Sequence, residues 1–242
     1  MYYTNKFNVF SYDCDLRNRL KVSAAMRYMQ QVAGEHLTSF GCSAEVMKEE
    51  DMVFLLSKFC LKIHRIPKIH EEIIVGTAPT PTKGVRFVRE FIMESQRGER
   101  LISAVTYWPL IRVSDRKVLR PSELNHDLPI QPEGVNEYIG DIPFPKVEPD
   151  EGESLYEERI KYSHIDVNNH VNNTIYADFV CDALPYSLMS GADLDEVIIG
   201  FQHEAVIGDV LKVNRHVISD NKIFITGEHS RAECFKGLVT FK

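Results

Sequence analysis

The chain has 242 residues, with 28 basic and 35 acidic side chains, a net charge of −7 and 44% hydrophobic residues. That length holds one large domain or two small ones, and the near-average composition excludes disorder and a fibrous chain. No apolar run reaches the roughly 18 residues of a membrane span. Met1-Tyr2-Tyr3-Thr4-Asn5-Lys6 lacks the basic-then-apolar order of a secretory leader. The acidity argues against bulk nucleic-acid binding, which needs phosphate neutralisation. Cys14, Cys42, Cys60, Cys181 and Cys234 are odd in number and scattered, without CxxC. Neither a disulfide framework nor a zinc ribbon is indicated, and a reduced, cytoplasmic location is expected.

In the first half, Val22, Met26, Met29, Ala33 and Leu37 recur at helical spacing, with Ala25, Tyr28 and Val32 widening the stripe. Strand-like runs follow at Val53 to Ile63, Glu72 to Thr77, Arg86 to Glu94 and Leu101 to Ile111, with turn chemistry at Ser95-Gln96-Arg97-Gly98. Residues 115–152 read as a connector. Six of the eleven prolines fall between Pro121 and Pro149, and proline fixes φ and removes a backbone donor. The second half repeats the order. Val171, Ile175, Phe179 and Ala183 form a helical stripe, with Tyr176, Val180 and Leu184 alongside. Strand-like runs follow at Val197 to Val206, Val210 to Ile218, Lys222 to Glu228 and Cys234 to Phe241, with Asp220-Asn221 as a turn.

The halves, 1–114 and 153–242, align residue by residue. An offset of 151 pairs Asp15 with Asp166, Leu20 with Val171 and Tyr28 with Phe179. An offset of 137 pairs Glu72 with Asp209 and Phe87 with Phe224, and one of 134 pairs Val105-Thr106-Tyr107 with Val239-Thr240-Phe241. The expectation is an α+β protein made by internal duplication, one long helix against an antiparallel sheet, present twice. Charge is segregated as well. Residues 53–120 hold 13 basic and 6 acidic residues, +7, which leaves −14 elsewhere. Such a stretch suits either docking of an acidic partner or solvated outer faces of strands.

The densest polar cluster is Tyr162-Ser163-His164-Ile165-Asp166-Val167-Asn168-Asn169-His170-Val171-Asn172-Asn173, directly before the second helix. In extended backbone, Asp166, Asn168 and His170 share one face. An acid, an amide and an imidazole would then end at a helix N-terminus, whose amides and dipole can hold developing negative charge. That suits attack on a carbonyl. Asn172 or Asn173 can equally serve as a plain helix cap. His164, Asp166 and His170 are metal-ligand types, but no second His/Cys cluster accompanies them, so no metal is expected. A GxSxG nucleophile elbow is absent.

The string Asp166-x-Asn168-x-His170-Val171-Asn172-Asn173-x-x-Tyr176 resembles the acyl-ACP thioesterase family. Arg19-Leu20-Lys21-Val22-Ser23-Ala24 and Gln30-Gln31-Val32-Ala33-Gly34-Glu35-His36 resemble that family's first half, and the likeness runs from Phe7 to Phe241. The resemblance implies a tandem double hotdog and hydrolysis of fatty acyl-acyl carrier protein without a cofactor. It also implies a fourth catalytic residue on a later strand, and Glu204 in Phe201-Gln202-His203-Glu204-Ala205 inherits that place. Ala205 stands where the family often has cysteine. A thiolate mechanism is therefore not expected, and attack by an activated water is. Cys181, on the helix, reads as a packing residue.

In this scheme Glu204 is the general base or orients the water, His170 and Asn168 position the thioester, and Asp166 orients one of them or shares the water. Amides of the helix N-terminus after His170 would complete the oxyanion site. Asp15, Arg17 and Arg19 stand at the matching positions of the first half, so one site per chain is expected. The first half would supply the acyl pocket, with Met26, Met29, Met52, Val53, Phe54 and Leu55 as candidates. The acidic carrier protein would dock on the basic stretch through Lys58, Lys62, Arg65, Lys68, Arg112, Arg116 and Lys117. An acyl-CoA thioesterase of the same fold and a non-catalytic acyl-thioester sensor are the alternatives. A sensor has no need of a water-activating carboxylate. The expected assembly is a monomer or homodimer.

Overall fold

The computed structural model describes residues 2–131, 143–147 and 152–242. The chain divides into an N-terminal and a C-terminal unit, with Lys21–Ser23 and Cys60–Ile63 grouped with the second.

The first unit opens with β1 (Tyr3–Asn8) and a 3-10 turn at Ser11–Asp13. Helix α1 (Val22–Ser39) follows, then the short α2 (Ala44–Glu49). The strands are β2 (Met52–Phe54), β3 (Lys58–Ile63), β4 (Glu72–Lys83), β5 (Arg86–Ser95), β6 (Arg100–Arg112) and β7 (Val118–Leu119). The antiparallel order is β1-β4-β5-β6, with β2 and β7 both paired to β6. The stripe read from the sequence does make α1. Met26, Met29 and Val32 have no exposed surface, and each such burial contributes about 1.5–3 kcal/mol. Gly41 at φ 82° lies just past its end. The run expected from Val53 to Ile63 is broken at residues 55–57 into β2 and β3. Ser57 there turns both its amide and its hydroxyl onto the Tyr107 carbonyl.

The second unit contains β8 (Glu153–Arg159), a 3-10 turn at Tyr162–His164, α3 (Asn173–Asp182) and α4 (Tyr186–Gly191). Its remaining strands are β9 (Leu194–Phe201), β10 (Val210–Ser219), β11 (Lys222–His229) and β12 (Ala232–Phe241). The antiparallel order is β8-β10-β11-β12-β9. Tyr176, Phe179 and Val180 of α3 are buried, as are Phe224, Ile225 and Phe235 of the sheet. Gly237 lets the helix approach, because a Cβ there would lie 2.5 Å from a methyl of Val180.

The duplication is visible in hydrogen bonds. Val9 N–H and Leu20 N–H bond to the carbonyls of Glu71 and Pro67, and Ile160 and Val171 bond in the same way to Asp209 and Ala205. The first members differ by 151 and the acceptors by 138. Glu71, not Glu72, is therefore the counterpart of Asp209, one residue from the expected offset. Strand register corrects a second pair. Glu94 pairs with Ile74 and Glu228 with Lys212, which puts Phe224 at the place of Glu90 and not of Phe87. Parts of the expected connector are ordered: β7 pairs with β6 and Pro121–Glu123 forms a 3-10 turn. Pro132 and Pro149 lie outside the described residues.

Candidate active site

Residues Asp166 to Asn169 form a tight turn and not the extended segment expected. Ile165 and Val171 bridge as an antiparallel pair, Asp166 N–H bonds to the His170 carbonyl at 2.9 Å, and Asn169 N–H to the Asp166 carbonyl at 3.0 Å. Asn169 takes φ 63°, the left-handed region that asparagine tolerates better than most residues. The carboxylate of Asp166 closes the turn by accepting the Asn168 N–H at 2.8 Å. Period-two alternation therefore does not apply to Asp166, Asn168 and His170. Asn168 is exposed and Asp166 half-buried.

Glu204 does not lie on a strand. β9 ends at Phe201, and residues 202–209 form a loop, with Gly208 at φ 89° and Asp209 Oδ2 accepting the Val206 N–H at 3.0 Å. The loop carries Glu204 to His170, where Oε2 lies 3.2 Å from Nε2. Their side chains are 42% and 35% exposed, so the pair is reachable from solvent. The structure thus brings two of the four expected residues into contact, His170 and Glu204. The Asp166 carboxylate bonds to the backbone N–H of Asn168, and Asn168 is exposed.

The start of α3 is largely satisfied already. Asn172 is the N-cap, its Oδ1 accepting the Thr174 N–H at 2.9 Å and the Thr174 hydroxyl at 2.8 Å. The amides of Val171, Asn172 and Ile175 bond to the carbonyls of Ala205, His164 and Asn172. Of the helix amides expected to complete an oxyanion site, these four N–H groups have protein acceptors. Ala205 is fully buried, its N–H donating to the Tyr176 hydroxyl at 3.3 Å. Cys234, whose carbonyl receives the Gln202 N–H, is also fully buried, and burial pushes its thiol up to about 11. Cys181 is half-buried on α3. His164 packs its ring edge-on against Phe179.

The first unit repeats the turn with other chemistry. Asp15 Oδ1 accepts the N–H groups of Arg17 and Arg19 at 2.8 and 3.0 Å, and Asn18 takes φ 57°. The Arg19 guanidinium, at the place of His170, folds back onto Asp15 Oδ2 through Nε at 3.0 Å and Nη2 at 2.9 Å. By the shared hydrogen bonds the counterpart of Glu204 is Ile66. This repeat therefore has neither the imidazole nor the acid.

Most of the expected docking residues are otherwise engaged. Lys58 is buried. Lys62 pairs with Asp195 and Glu196, Arg65 with Glu71 and Glu99, Arg112 with Asp115 and Glu123, and Lys117 with Asp115. Lys68 and Arg116 are exposed. Among the acyl-pocket candidates, Met26 and Met29 are core residues, Met52 and Phe54 pack with Phe87 and Leu110, and Leu55 is 42% exposed.

One antiparallel sheet with a helix against it, built twice from a single chain and carrying the His170–Glu204 pair in the second copy, defines a tandem double hotdog of α+β class. The chain belongs to the acyl-ACP thioesterase family. The family's N-terminal domain matches residues 1–127 and its C-terminal domain residues 147–236. It is similar to a chloroplastic acyl-[acyl-carrier-protein] hydrolase of Cuphea viscosissima, 22% identical over 225 residues, 87% of this chain and 54% of the relative. It is also similar to the chloroplastic oleoyl-acyl carrier protein thioesterase 1 of Arabidopsis thaliana, 22% identical over 226 residues, 86% of this chain and 62% of that one. The chain spans about half the length of the first of these curated relatives. Among solved structures, an acyl-ACP thioesterase from Bacteroides thetaiotaomicron superimposes with a TM-score of 0.86 at 21% identity, covering 99% of this chain and 97% of the other. The 12:0-ACP thioesterase from Umbellularia californica gives 0.84 at 17%, covering 100% and 97%. No helix among the described residues is long and apolar enough to cross a membrane.

Proposed function

We propose that the protein hydrolyses the thioester of a fatty acyl group on acyl carrier protein, releasing free fatty acid and the carrier thiol. The observation that carries this reading is the solvent-reachable contact between His170 Nε2 and Glu204 Oε2 at 3.2 Å, in a chain of this family. Glu204 Oε2 accepts the imidazole N–H, which leaves Oε1 to hold a water. As the water oxygen bonds to the carbonyl carbon, Glu204 takes its proton. A neutralised carboxyl holds the His170 N–H less strongly, so that donor turns with the Asn168 amide to the carbonyl oxygen as it becomes an oxyanion. Collapse breaks the C–S bond, and the proton on Glu204 passes to the departing sulfur. The Asp166 bond to Asn168 N–H supports a turn-holding role for Asp166. The buried, raised Cys234 thiol and Ala205 support water over a cysteine nucleophile.

The same 3.2 Å bond favours a second assignment, in which Glu204 orients the ring and His170 Nδ1 takes the water proton. The first unit, with Arg19 and Ile66 at the two key places, would serve the acyl chain and not the chemistry. The exposed Lys68 and Arg116 are the remaining docking candidates for an acidic carrier. All five cysteines are thiols, which supports a reducing compartment such as the cytoplasm. The test is fatty-acid release from a chain-length series of acyl-ACPs and the matching acyl-CoAs, with wild type beside Glu204→Ala. Carrier-selective release lost in the variant supports the proposal. Equal turnover of acyl-CoA moves the protein to the acyl-CoA hydrolases, and binding without turnover makes it a sensor.

A further inference from the structure

We infer that His229 is a positioning residue that sets where Glu204 stands, an inference that rests on the catalytic reading of Glu204. His229 ends β11, and its ring reaches two places at once. Nδ1 lies 3.1 Å from the Arg231 N–H and 3.0 Å from the Ala232 N–H. Backbone amides only donate, so Nδ1 is the acceptor of both and carries no proton. The proton of the neutral ring is then on Nε2, which lies 3.3 Å from the Glu204 carbonyl oxygen. The tautomer is thus fixed by the turn between β11 and β12, and the fixed tautomer is the one that can hold the backbone of Glu204.

The rest of the loop leaves that carbonyl as the point to be held. Before Glu204, the Gln202 and His203 N–H groups share the Cys234 carbonyl, at 2.8 and 3.4 Å, and the His203 ring donates from Nδ1 to the Glu233 carbonyl at 3.0 Å. After it, Ala205 is gripped by Tyr176 and Val171. Only the His229 bond reaches Glu204's own main chain among these contacts. A carboxylate that must hold a water against a carbonyl carbon tolerates little misplacement, about 1 Å being enough to cost a hundredfold.

The two nitrogens have separable duties, and two substitutions separate them. In His229→Asn, Oδ1 replaces Nδ1 as the acceptor for Arg231 and Ala232, but no donor reaches Glu204. In His229→Gln, the amide Nε2 can donate to Glu204, but the turn loses its acceptor. The measurements are kcat and KM on acyl-ACP, Tm, and hydrogen exchange of the 202–205 amides. The Asn variant is expected to keep Tm and KM, lose about five- to tenfold in kcat, and exchange the Ala205 amide faster. The Gln variant is expected to lower Tm while restoring most of kcat and slow exchange. Loss of kcat that follows Tm in both variants overturns the inference, as does wild-type kcat and exchange in the Asn variant. If wild type releases no fatty acid, the catalytic reading fails by itself, and the exchange data still decide whether His229 holds the loop.

Discussion

Removing the carboxylate of Asp15 and that of Asp166 should have opposite consequences. Asp15 accepts two backbone N–H bonds and both arms of the Arg19 fork, all between 2.8 and 3.0 Å. Arg19 is 8% exposed at its side chain and Asp15 22%. Asp15→Ala therefore takes the carboxylate from a buried guanidinium and the acceptor from two turn amides. Breaking such a pair costs about 3–5 kcal/mol. The Asp166 carboxylate accepts one N–H, that of the exposed Asn168, so Asp166→Ala should cost about 1 kcal/mol. The activity effects reverse. Asp166→Ala loosens the turn that carries Asn168 and His170 and should lower kcat by at least tenfold, whereas Asp15→Ala should keep kcat per folded molecule. Urea unfolding of both variants gives the stability difference, expected at about 2–4 kcal/mol, and fatty-acid release gives the rates. Equal stability loss in the two variants would refute the argument, as would a folded Asp15→Ala protein with no turnover.

Glu204→Gln keeps an oxygen for the His170 N–H but cannot take a proton. It should lower kcat by a hundredfold or more with KM little changed, and a loss of only about tenfold in a pH–rate series would make His170 the base. Burial, and secondarily the Arg89 guanidinium 3.1 Å from Nδ1, holds His36 down at about 4. Its folded value lies below the unfolded 6.5, so the unfolded chain binds more protons between them. Stability should be complete above pH 6.5 and fall by at most about 3 kcal/mol towards pH 4, and His36→Gln should flatten that slope in urea titrations. Gly227→Ala would drive a methyl into the buried Phe235 ring and should cost about 2 kcal/mol or more, measured as a lowered urea midpoint at unchanged slope.

What the sequence revealed follows the strength of its periodic signals. α1 was legible because Val22, Met26, Met29 and Ala33 form an apolar stripe over several turns. α2 and α4 were not, since six residues hold too few repeats to show a period. Phe201 to Val206 looked like the end of a strand because apolar residues bracket it. The loop is made instead by Asp209 capping Val206 and by Gly208, which are contacts and dihedrals and not patterns. The turn at Asp166 has a related cause: Asp-x-Asn-Asn is turn chemistry, and period-two alternation of its polar residues needs an extended backbone that the turn does not have. His229 could not be found from sequence, because its partners lie 2, 3 and 25 residues away and only the hairpin brings them together.

The two copies of the Asp turn differ in where the side chain at its fourth following position finds an acid. Arg19 closes on its own turn, so the first copy is a staple with both halves of its ion pair within five residues. His170 closes on a distant loop, so the second copy is half of a joint whose other half must arrive independently. A damaged staple unfolds its surroundings, whereas a damaged joint only opens. Mutations around Arg19 should therefore be felt as loss of soluble protein, and mutations around His170 as well-folded protein that does nothing. Installing Arg19→His and Ile66→Glu together would convert the staple to a joint and remove the support it gave, so a second working site would come at the expense of the first unit's stability.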